Sequence, residues 1–437
     1  MKRIVFAFVA LAMAVAATSC DKKEEQPVEI KVQLSLDGAA YAAQDVAIAV
    51  VDAAGTASFE EKTNASGIAT FVVPSGLYKA SASFKNAADG VLKTFTGSAD
   101  FQVVAATPAT VDLKLNKVEA SQIIIKEFYS QQCPKNDGST FYGNDAYVTI
   151  YNNSELEADA SELVFGVVQP GNAQATNKYY TAEGVLSYTD YVPAYSGIWY
   201  FQTPVKIAPY SSLTIAFFGA IDHTATVTAS VDLSKPEYYV MSKDGVSQIT
   251  NSKYQIAETI SKDHYLTAKM FNMGNSWVLS NSAPAFFVGK MSLSELTALI
   301  DNTDAYDLTG GKDNIGWAPK FPVANIVDAV ECWDKAQIAK SSLRFPSSVN
   351  SDYLAITIKK GHTYYRNVDK EATEALAENA GKLVYGYADG TADIDGSTDP
   401  SGIDAEASMK AGCHIIFSDT NSTSKDFHER KESSLRK

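Results

Sequence analysis

The chain has 437 residues, of which 46% are hydrophobic and 20% are charged, and its formal net charge is −14. This length and composition support two or three folded domains and exclude a chain that is disordered throughout. The acidic balance disfavours nucleic acid and anionic lipid as partners, because a negative surface repels phosphate groups.

The first 20 residues predict a bacterial lipoprotein export signal, with residues 1–19 as the signal peptide. Lys2 and Arg3 precede the apolar residues 4–17, and a run of small residues then ends at Cys20. The apolar segment is shorter than a helix that spans a bilayer, so we expect cleavage before Cys20 and a lipid anchor on that cysteine. The alternative is an ordinary secretory signal cleaved elsewhere, which would leave Cys20 without a role.

Residues 20–27 are predicted to be a charged, solvated tether, because they contain too few apolar residues to pack. The segment 21–25, DKKEE, resembles the charged signal that follows the lipidated cysteine in surface-exposed lipoproteins of the Bacteroides group. That resemblance implies an outer-membrane lipoprotein that faces the cell exterior. A generic linker is the alternative.

Residues 28–117 predict a small N-terminal β-sandwich. Apolar and polar residues alternate there in short runs between turn residues, at 30–36, 47–51, 69–73, 77–84 and 110–115. The segment 63–78 resembles the "T-x-x-x-G-x-A-x-F, then P-x-G-x-Y" core of transthyretin-like and carboxypeptidase-regulatory-like modules. The resemblance implies a spacer module in which Gly67 serves a tight hairpin and Tyr78 starts the returning strand.

Residues 118–437 predict a second β-sandwich. Its motifs resemble, in chain order, the lamin-tail-like immunoglobulin fold, whose pattern is I-x-I-x-E, Y-I-E-I-Y-N, V-D-x-V, an arginine, and D-T-x-N-S-x-x-D-F. The matching segments are 123–129, 146–154, 326–330, 365–367 and 419–427. Two features depart from the pattern: Thr149 replaces the glutamate of the second motif, and residues 155–320 form a longer middle region than a lamin tail needs.

Helices are predicted at only two places. Residues 293–300 follow a capping-box sequence at Ser292 and Glu295, and residues 369–380 are rich in Ala and Glu and precede Gly381. The expected fold is therefore mostly β, with two immunoglobulin-like or transthyretin-like β-sandwich domains, the second elaborated with long insertions and a few short helices. The complete layout resembles an uncharacterised family of Bacteroides-group surface lipoproteins known as a domain of unknown function.

The region 179–201 is unusually rich in aromatic residues among Gly, Pro and Ser. Aromatic rings on irregular backbone offer a large apolar area with a polar atom, which suits a sugar, a flat macrocycle or a partner protein. The predicted ligand-binding residues are Tyr179, Tyr180, Tyr188, Tyr191, Tyr195 and Trp199. The alternative is that these rings pack on the sandwich, with a core strand that begins near Trp199.

An acidic, glycine-containing segment provides the candidate metal ligands Asp393, Asp395 and Asp399, and calcium is the cation that such oxygen ligands suit. The spacing is not that of an EF-hand, and a solvated acidic loop is the alternative. The five histidines show no metal-binding spacing. The sequence still allows one histidine, remote from other ligands in the sequence, or the sulfur of Met270 or Met273, as an axial ligand to haem.

Three cysteines remain after lipidation of the first, namely Cys133, Cys332 and Cys413. They are far apart and odd in number, so the sequence defines no disulfide framework and no zinc knuckle. An oxidising envelope is consistent with one disulfide and one thiol, but the pairing stays open.

The chain lacks the Gly-x-Ser-x-Gly, His-Glu-x-x-His and phosphate-loop sequences of common enzymes. The expected function is therefore a non-catalytic, outer-membrane binding protein that captures a nutrient or metal complex, either a small molecule or a glycan, for a TonB-dependent transporter. One alternative is an adhesin or fimbria-like structural subunit. Another is a carbohydrate-active enzyme, since paired carboxylates are abundant.

Overall fold

The computed structural model describes residues 27–436, except 89–90, 131, 245, 247–248, 250–251, 272–276, 278, 311–316 and 387–397. The predicted signal peptide and Cys20 lie outside these residues. The described chain is mostly β, as predicted, with large sheets and few helices. It divides into two compact units, one formed by residues 27–85 and 94–118 and the other by residues 86–93 and 119–436.

The first unit is built on one mixed sheet. Along β1, every second side chain is buried, which is the pattern of a strand with one face on a core. The strand order is β2-β1-β8-β7-β6-β3-β4, with β5 also paired to β1, and β1 and β8 are parallel. The strands are β1 (Val28–Leu36), β2 (Ala39–Ala40), β3 (Ala47–Asp52), β4 (Ser58–Lys62), β5 (Ile68–Val73), β6 (Gly76–Ala88), β7 (Val91–Val103) and β8 (Ala109–Ser121).

The turn before β5 depends on Gly67. This residue has φ +76°, and a Cβ added there would lie 2.0 Å from the carbonyl oxygen of Tyr41, so only glycine fits. The turn is tight, because the Gly67 amide donates to the Asn64 carbonyl at 2.9 Å. It does not connect a hairpin, however, since β4 pairs with β3 and β5 pairs with β1.

The second unit contains a larger mixed sheet with the strand path β23-β22-β20-β14-β15-β19-β18-β17-β12-β9-β24-β25 and with β21 paired to β15. Two short pairs, β10 with β11 and β13 with β16, lie outside it. The strands are β9 (Ile123–Tyr129), β10 (Cys133–Pro134), β11 (Phe141–Tyr142), β12 (Tyr147–Asn152), β13 (Ala158–Asp159), β14 (Leu163–Val168), β15 (Tyr191–Phe201), β16 (Lys206–Ile207), β17 (Ser212–Ala216), β18 (Tyr239–Met241), β19 (Tyr265–Met270), β20 (Ala285–Lys290), β21 (Lys320–Pro322), β22 (Ile326–Asp334), β23 (Leu354–Ile356), β24 (Thr363–Arg366) and β25 (Phe427–Arg430).

The large sheet surrounds one main hydrophobic core. Strands from both ends of the path contribute buried side chains to this core, including Val330 from β22 and Phe427 from β25. The middle region 155–320, expected as insertions, supplies β14, β15 and β20 to the same sheet, with Phe165, Trp199 and Phe286 in the core. This region is therefore part of the sheet and not an addition to a smaller sandwich.

The helices are short. Helix α1 (Leu293–Asp301) is the predicted one, and both hydrogen bonds of the capping box between Ser292 and Glu295 are present. The predicted helix at 369–380 is wrong in extent: α2 (Lys370–Glu374) ends early and a 3₁₀ turn (Ala377–Asn379) follows. The other helices are α3 (Ala405–Lys410) and α4 (Thr423–Asp426), and further 3₁₀ turns are His223–Ala225, Lys262–His264, Thr303–Ala305, Val323–Asn325 and Lys335–Lys340.

A buried ion cluster, here called the arginine clasp, consists of Arg366, Asp328, Asp419 and Asp426. Arg366 donates from Nη2 to Asp328, and its Nη1 lies 3.5 Å from Asp419 Oδ1 and 3.8 Å from Asp426 Oδ2. Its Nε donates to the Ile125 carbonyl at 2.6 Å. The clasp thus joins β9, β22, β24 and α4, and it brings together the late motifs at 326–330, 365–367 and 419–427.

Candidate functional site

A β-bulge on β9 presents two consecutive charged side chains on the same face of the sheet. Thr149 on β12 is opposite Glu127, and Ile150 is opposite Ile125, so Lys126 is the additional residue between them. A bulge of this kind changes the direction of a side chain and often lies beside a functional site. Lys126 and Glu127 therefore both lie on the outer face, away from the core.

This outer face carries a row of polar side chains across five strands. Thr214, Thr149, Glu127, Tyr365 and His428 are successive cross-strand partners on β17, β12, β9, β24 and β25. Directly opposed partners point to the same side of a sheet. The two threonine hydroxyls lie 3.0 Å apart and share a hydrogen bond.

The centre of this face is an ammonium and carboxylate pair, in which Lys126 is buried and Glu406 is half-buried. Lys126 Nζ donates to Glu406 Oε1 at 3.4 Å, and the lysine side chain is only 7% exposed. The same Nζ lies 5.9 Å from the ring centroid of Tyr151 and 5.7 Å from that of Tyr365. Two aromatic faces therefore stabilise the ammonium in addition to the carboxylate.

Glu406 is held in its ionised form. Burial raises the pKa of Glu406, but the Lys126 ammonium and a hydrogen bond donated by the Tyr365 hydroxyl oppose this, so that the pKa lies below its ordinary value. Burial, followed by the charge of Glu406, raises the pKa of Tyr365 well above its usual range. Near neutral pH the site therefore presents a carboxylate acceptor next to an ammonium donor.

The guanidinium of Arg430 packs on the ring of Tyr365. Its guanidinium carbon is 3.3 Å from the ring centroid of Tyr365, and its Nε donates to His428 Nε2 at 3.1 Å. Burial and then the charge of Arg430 lower the pKa of His428 well below its usual value, so its ring is neutral and Nδ1 donates to Asn367 Oδ1. Among the described residues, Nη1 and Nη2 of this buried arginine have no hydrogen-bond partner.

The last described residues form one wall of the site. Ser434 donates to Glu127 from its backbone N–H at 3.0 Å and from its hydroxyl, and the hydroxyls of Ser433 and Tyr147 share a hydrogen bond. Together these elements enclose a cavity of about 400 Å³, here called the sheet cleft. Its walls include Lys126, Thr149, Lys206, Ile207, Leu213, Thr214, Glu237, Tyr238, Tyr239, Glu406, Ser434 and Leu435.

A larger cavity of about 740 Å³ lies beside β23 and β25, but its polar groups are mostly used within the protein. Asp352 accepts hydrogen bonds from Ser422 and Ser424. Asn367 is bonded to His428 and to the Lys425 carbonyl. A ligand there would have to displace these bonds. In the sheet cleft, the buried Lys126 ammonium has three donors, and its contact with Glu406 uses one of them, so the sheet cleft is the stronger candidate.

The aromatic residues predicted to bind a ligand do not lie in the walls of the sheet cleft. Tyr179, Tyr188, Tyr195 and Trp199 are at most 8% exposed and belong to hydrophobic clusters. Their backbone is not all irregular, because β15 begins at Tyr191 and not near Trp199. The half-buried residues of the set are Tyr180 and Tyr191.

Several hydroxyl groups of this aromatic region are bonded within the protein. The Tyr180 hydroxyl donates to the Leu343 carbonyl at 3.1 Å, and the Tyr188 hydroxyl donates to the Arg344 carbonyl at 2.6 Å. The Tyr191 hydroxyl donates to Asp307 at 2.5 Å. The region therefore has the contacts of a packed structural element.

Of the predicted calcium ligands, Asp393 and Asp395 lie outside the described residues, as does Met273. Asp399 is buried and accepts hydrogen bonds from the backbone amides of Val368 and Ser401 at 3.0 and 2.8 Å. In the part of the chain that the structure describes, no three His, Cys, Asp or Glu side chains form a group that could hold a metal ion.

The described cysteines Cys133, Cys332 and Cys413 are all free and buried. Burial, with a contribution from the charge of Asp145, raises the pKa of Cys133 to about 12, so its thiol is protonated and unreactive at neutral pH. Among the described helices, none combines the length and apolar character needed to cross a bilayer.

Sequence reasoning did not identify Lys126, Glu406 or Arg430 as a group. One signal was present, since Thr149, the departure from the second lamin-tail motif, lies in the wall of the cleft. No other sequence pattern linked these residues, because Lys126 and Glu406 are 280 residues apart in the sequence.

The fold and the site define a mostly-β protein with a polar cleft on the outer face of its larger sheet. The model of the family described as "Protein of unknown function (DUF4876)" matches residues 208–434, which is more than half of the chain, and the chain belongs to this family. The match includes Thr214, Tyr238, Glu406 and Arg430 but not Lys126 or Thr149.

A crystal structure of a DUF4876 family protein from Bacteroides thetaiotaomicron VPI-5482 has the same fold. It is 16% identical, covers 92% of this chain and 94% of its own, and superposes with a TM-score of 0.56. A DUF3823 family protein from Parabacteroides merdae has a TM-score of 0.18, with 8% identity over 68% of this chain and 99% of its own. A shaft pilin from Lactobacillus rhamnosus GG also has a TM-score of 0.18, with 12% identity over 68% of this chain and 94% of its own. No curated protein matches the chain.

Proposed function

We propose that this protein is a non-catalytic binding protein that captures a small polar ligand, a nutrient or a metal complex, in the sheet cleft. The observation that carries the proposal is the pair of buried Lys126 and half-buried Glu406 in the wall of a cavity of about 400 Å³. A cavity of this size, with few charged groups at fixed positions, is typical of small-molecule sites.

The cleft is preorganised. Its polar groups lie on β9, β12 and β17, which are central strands of the sheet, and Glu406 is fixed by the Tyr365 hydroxyl. Rigid strands hold such groups without the entropy cost that mobile loops add to binding. The ligand therefore meets donors and acceptors that are already in position.

The electrostatics of Glu406 favour binding over acid catalysis. A general acid needs a carboxyl group whose pKa is raised, so that it carries a proton at neutral pH. The pKa of Glu406 is lowered, with Lys126 and Tyr365 opposing the effect of burial. Glu406 is thus suited to accept hydrogen bonds and not to donate a proton to a leaving group.

The proposed cellular setting extends the sequence-based expectations. Lipid on Cys20 anchors the chain to the outer membrane, and the tether carries it to the cell exterior. The first unit acts as a transthyretin-like spacer, and the second, on a lamin-tail-like plan, captures the ligand for a TonB-dependent transporter. The support is the sequence of residues 1–27 together with a cleft in which Glu406 has a lowered pKa and is suited to accept hydrogen bonds from a ligand.

The test is a thermal-shift screen of the chain from Lys22 onward, which contains every described residue. Haem, iron complexes, cobalamin, calcium and a panel of saccharides are the probes. A captured ligand raises the melting temperature with the logarithm of its concentration, and we expect Lys126→Met and Glu406→Gln to remove that shift. The matched exposed controls Lys31→Met and Glu29→Gln, both in the first unit, should keep it.

The aromatic region is tested in the same screen. Tyr180→Ala and Tyr191→Ala change its half-buried tyrosines. If these variants lost the ligand shift while Lys126→Met kept it, the site would lie at the aromatic region and not in the sheet cleft. If no probe produced a shift, the capture function would be overturned, and an adhesin or scaffold role would replace it.

A further inference from the structure

The sheet cleft also indicates which chemical class of ligand it takes. Its walls contain two lysines, Lys126 and Lys206, and two glutamates, Glu237 and Glu406, so the formal charge of the lining is balanced. Lys206 is paired with Asp159 at 2.8 Å, so Lys126 is the lysine of the lining that can face a ligand without giving up a carboxylate outside the cleft. A strongly anionic ligand would be repelled by the glutamates, and a cationic one by Lys126. Balanced walls suit a ligand that is neutral overall.

The centre of the cleft pairs one strong donor with one strong acceptor. The Lys126 ammonium has three donors, and its 3.4 Å contact with Glu406 Oε1 uses one of them. Glu406 Oε1 also accepts from the Tyr365 hydroxyl, so we expect the ligand to donate to Oε2, the other oxygen of this carboxylate. A hydroxyl group can both donate and accept. Two neighbouring hydroxyls of one ligand can therefore be bound together, one accepting from Lys126 and the other donating to Glu406.

The floor beside this pair adds uncharged hydroxyls. Thr149 and Thr214 are buried on adjacent strands, and their hydroxyl oxygens lie 3.0 Å apart. Each hydroxyl can rotate to donate or accept. They extend the set of groups that can recognise a polyol across two further strands, β12 and β17, beyond Lys126 on β9.

One wall is less polar. Tyr238 and Leu435 line the cleft and belong to the hydrophobic cluster of the outer face, together with Tyr147. Tyr239 is the cross-strand partner of Ile215 and packs with it on the core side of the sheet. An apolar wall beside a row of polar groups matches a ring that has hydroxyls at its edge and C–H groups on its face.

We infer that the sheet cleft binds a neutral saccharide of one or two rings through neighbouring hydroxyls that bridge Lys126 and Glu406. The cavity of about 400 Å³ is at the small end of the range for ligand sites, which fits a short saccharide and not a long chain. This inference rests on the proposed capture function and specifies its ligand.

Saturation-transfer NMR followed by calorimetry tests the inference on the chain from Lys22 onward. The neutral probes are glucose, galactose, mannose, xylose, N-acetylglucosamine, maltose and cellobiose. Glucuronate, glucosamine and free serine are charged or zwitterionic comparators, and ferric citrate, haem and cobalamin represent metal complexes. We expect at least one neutral saccharide to bind ten or more times more tightly than glucuronate and glucosamine.

The variants locate the site. Lys126→Met and Glu406→Gln should each weaken the bound saccharide at least tenfold, whereas the exposed controls Lys31→Met and Glu29→Gln should leave its affinity unchanged. Circular dichroism and the melting temperature show whether each variant is folded. If Lys126→Met does not fold, Thr149→Val provides a second test, since it removes one hydroxyl from the floor at nearly constant volume.

The possible failures are distinguishable. If a charged probe or a metal complex binds and loses affinity in Lys126→Met while the neutral saccharides do not bind, the saccharide inference is overturned and the capture function stands. If a saccharide binds with equal affinity to Lys126→Met and Glu406→Gln, the cleft is not its site. If no probe of any class binds, both proposals are wrong.

Discussion

Arg366 and Arg430 lie on adjacent strands of the same sheet and are equally buried, yet their surroundings differ. In the arginine clasp, Arg366 has three carboxylates and two backbone carbonyls around its guanidinium. Arg430 is stacked on Tyr365 and uses only Nε for a hydrogen bond within the described residues. Every nitrogen of the Arg366 guanidinium has a partner within the protein, as in a structural element, whereas Nη1 and Nη2 of Arg430 have none among the described residues.

This difference allows a structural charge cluster to be distinguished from a candidate binding site even when the ligand is unknown. Buried charges in a structural element are paired within the protein, because an unpaired one costs several kcal/mol. Around Arg430, Tyr365 and Glu406 the charges are only partly compensated from within. A substitution should therefore affect mainly stability in the clasp and mainly binding in the cleft.

The largest effect is expected for Arg366→Met. This change leaves Asp328, Asp419 and Asp426 buried without their common cation, and we expect the second unit to lose about 3–5 kcal/mol of unfolding free energy. Urea unfolding followed by tryptophan fluorescence measures it specifically, because all four tryptophans (Trp199, Trp277, Trp317 and Trp333) lie in the second unit.

The control for this substitution is Arg436→Met, which removes a partly exposed arginine paired with Glu432 at 3.2 Å. Exposed pairs of this kind contribute little, so its unfolding midpoint should match that of the unchanged protein. A loss below about 1 kcal/mol for Arg366→Met would show that the clasp is not a structural element.

A smaller effect is expected from pH. Burial raises the pKa of Asp328 to about 7, although the charge of Arg366 opposes it. Since the unfolded-state pKa is near 3.8, the folded chain retains a proton that the unfolded chain releases between these values. The contribution of Asp328 to the unfolding free energy therefore falls as the pH rises towards 7, by about 2 kcal/mol between pH 5 and 7.

The measurement is the urea midpoint of the unchanged protein and of Asp328→Asn at pH 5, 6, 7 and 8. Asparagine does not titrate, so the stability advantage of the unchanged protein should be largest at pH 5 and should shrink by pH 8. An advantage that grows with pH would mean that Asp328 is ionised in the folded chain throughout this range, as a strong partner of Arg366.

The smallest stability effect is expected for Arg430→Met. No carboxylate loses a direct partner, and methionine can still pack on Tyr365, so the unfolding free energy should stay within about 1 kcal/mol of the original value. Fluorescence-detected urea unfolding again provides the measurement. A loss as large as that of Arg366→Met would remove the contrast between the two regions.

Much of the strand structure is predictable from local sequence. The strand 123–129 was predicted with its observed bounds, and the capping box at Ser292 predicted the start of α1 correctly. These features depend on residues that are close in sequence. The helix expected at 369–380 failed, because the chain turns at Ala375 and Leu376 and contacts other segments through Asn379.

The candidate site could not be predicted, because it depends on pairing between distant strands. Nothing local shows that Lys126 is the extra residue of a bulge, since that depends on which residue of β12 faces it. The burial of Tyr179, Tyr188, Tyr195 and Trp199 could not be predicted for a related reason. Aromatic rings are frequent in binding sites, but the same rings pack well on a sheet, and the sequence does not say which surface another strand covers.

The position of β9 has a consequence for how the protein comes to be folded. β9 lies between β12 and β24, and the hydrogen bond from Thr363 to Phe128 joins residues 235 positions apart. The second unit therefore cannot complete its sheet until a late part of the chain is available, and such long-range pairing makes folding slow. A chain that folds slowly exposes its apolar strand IIIKEFY for longer, and that strand would need protection from aggregation during this time.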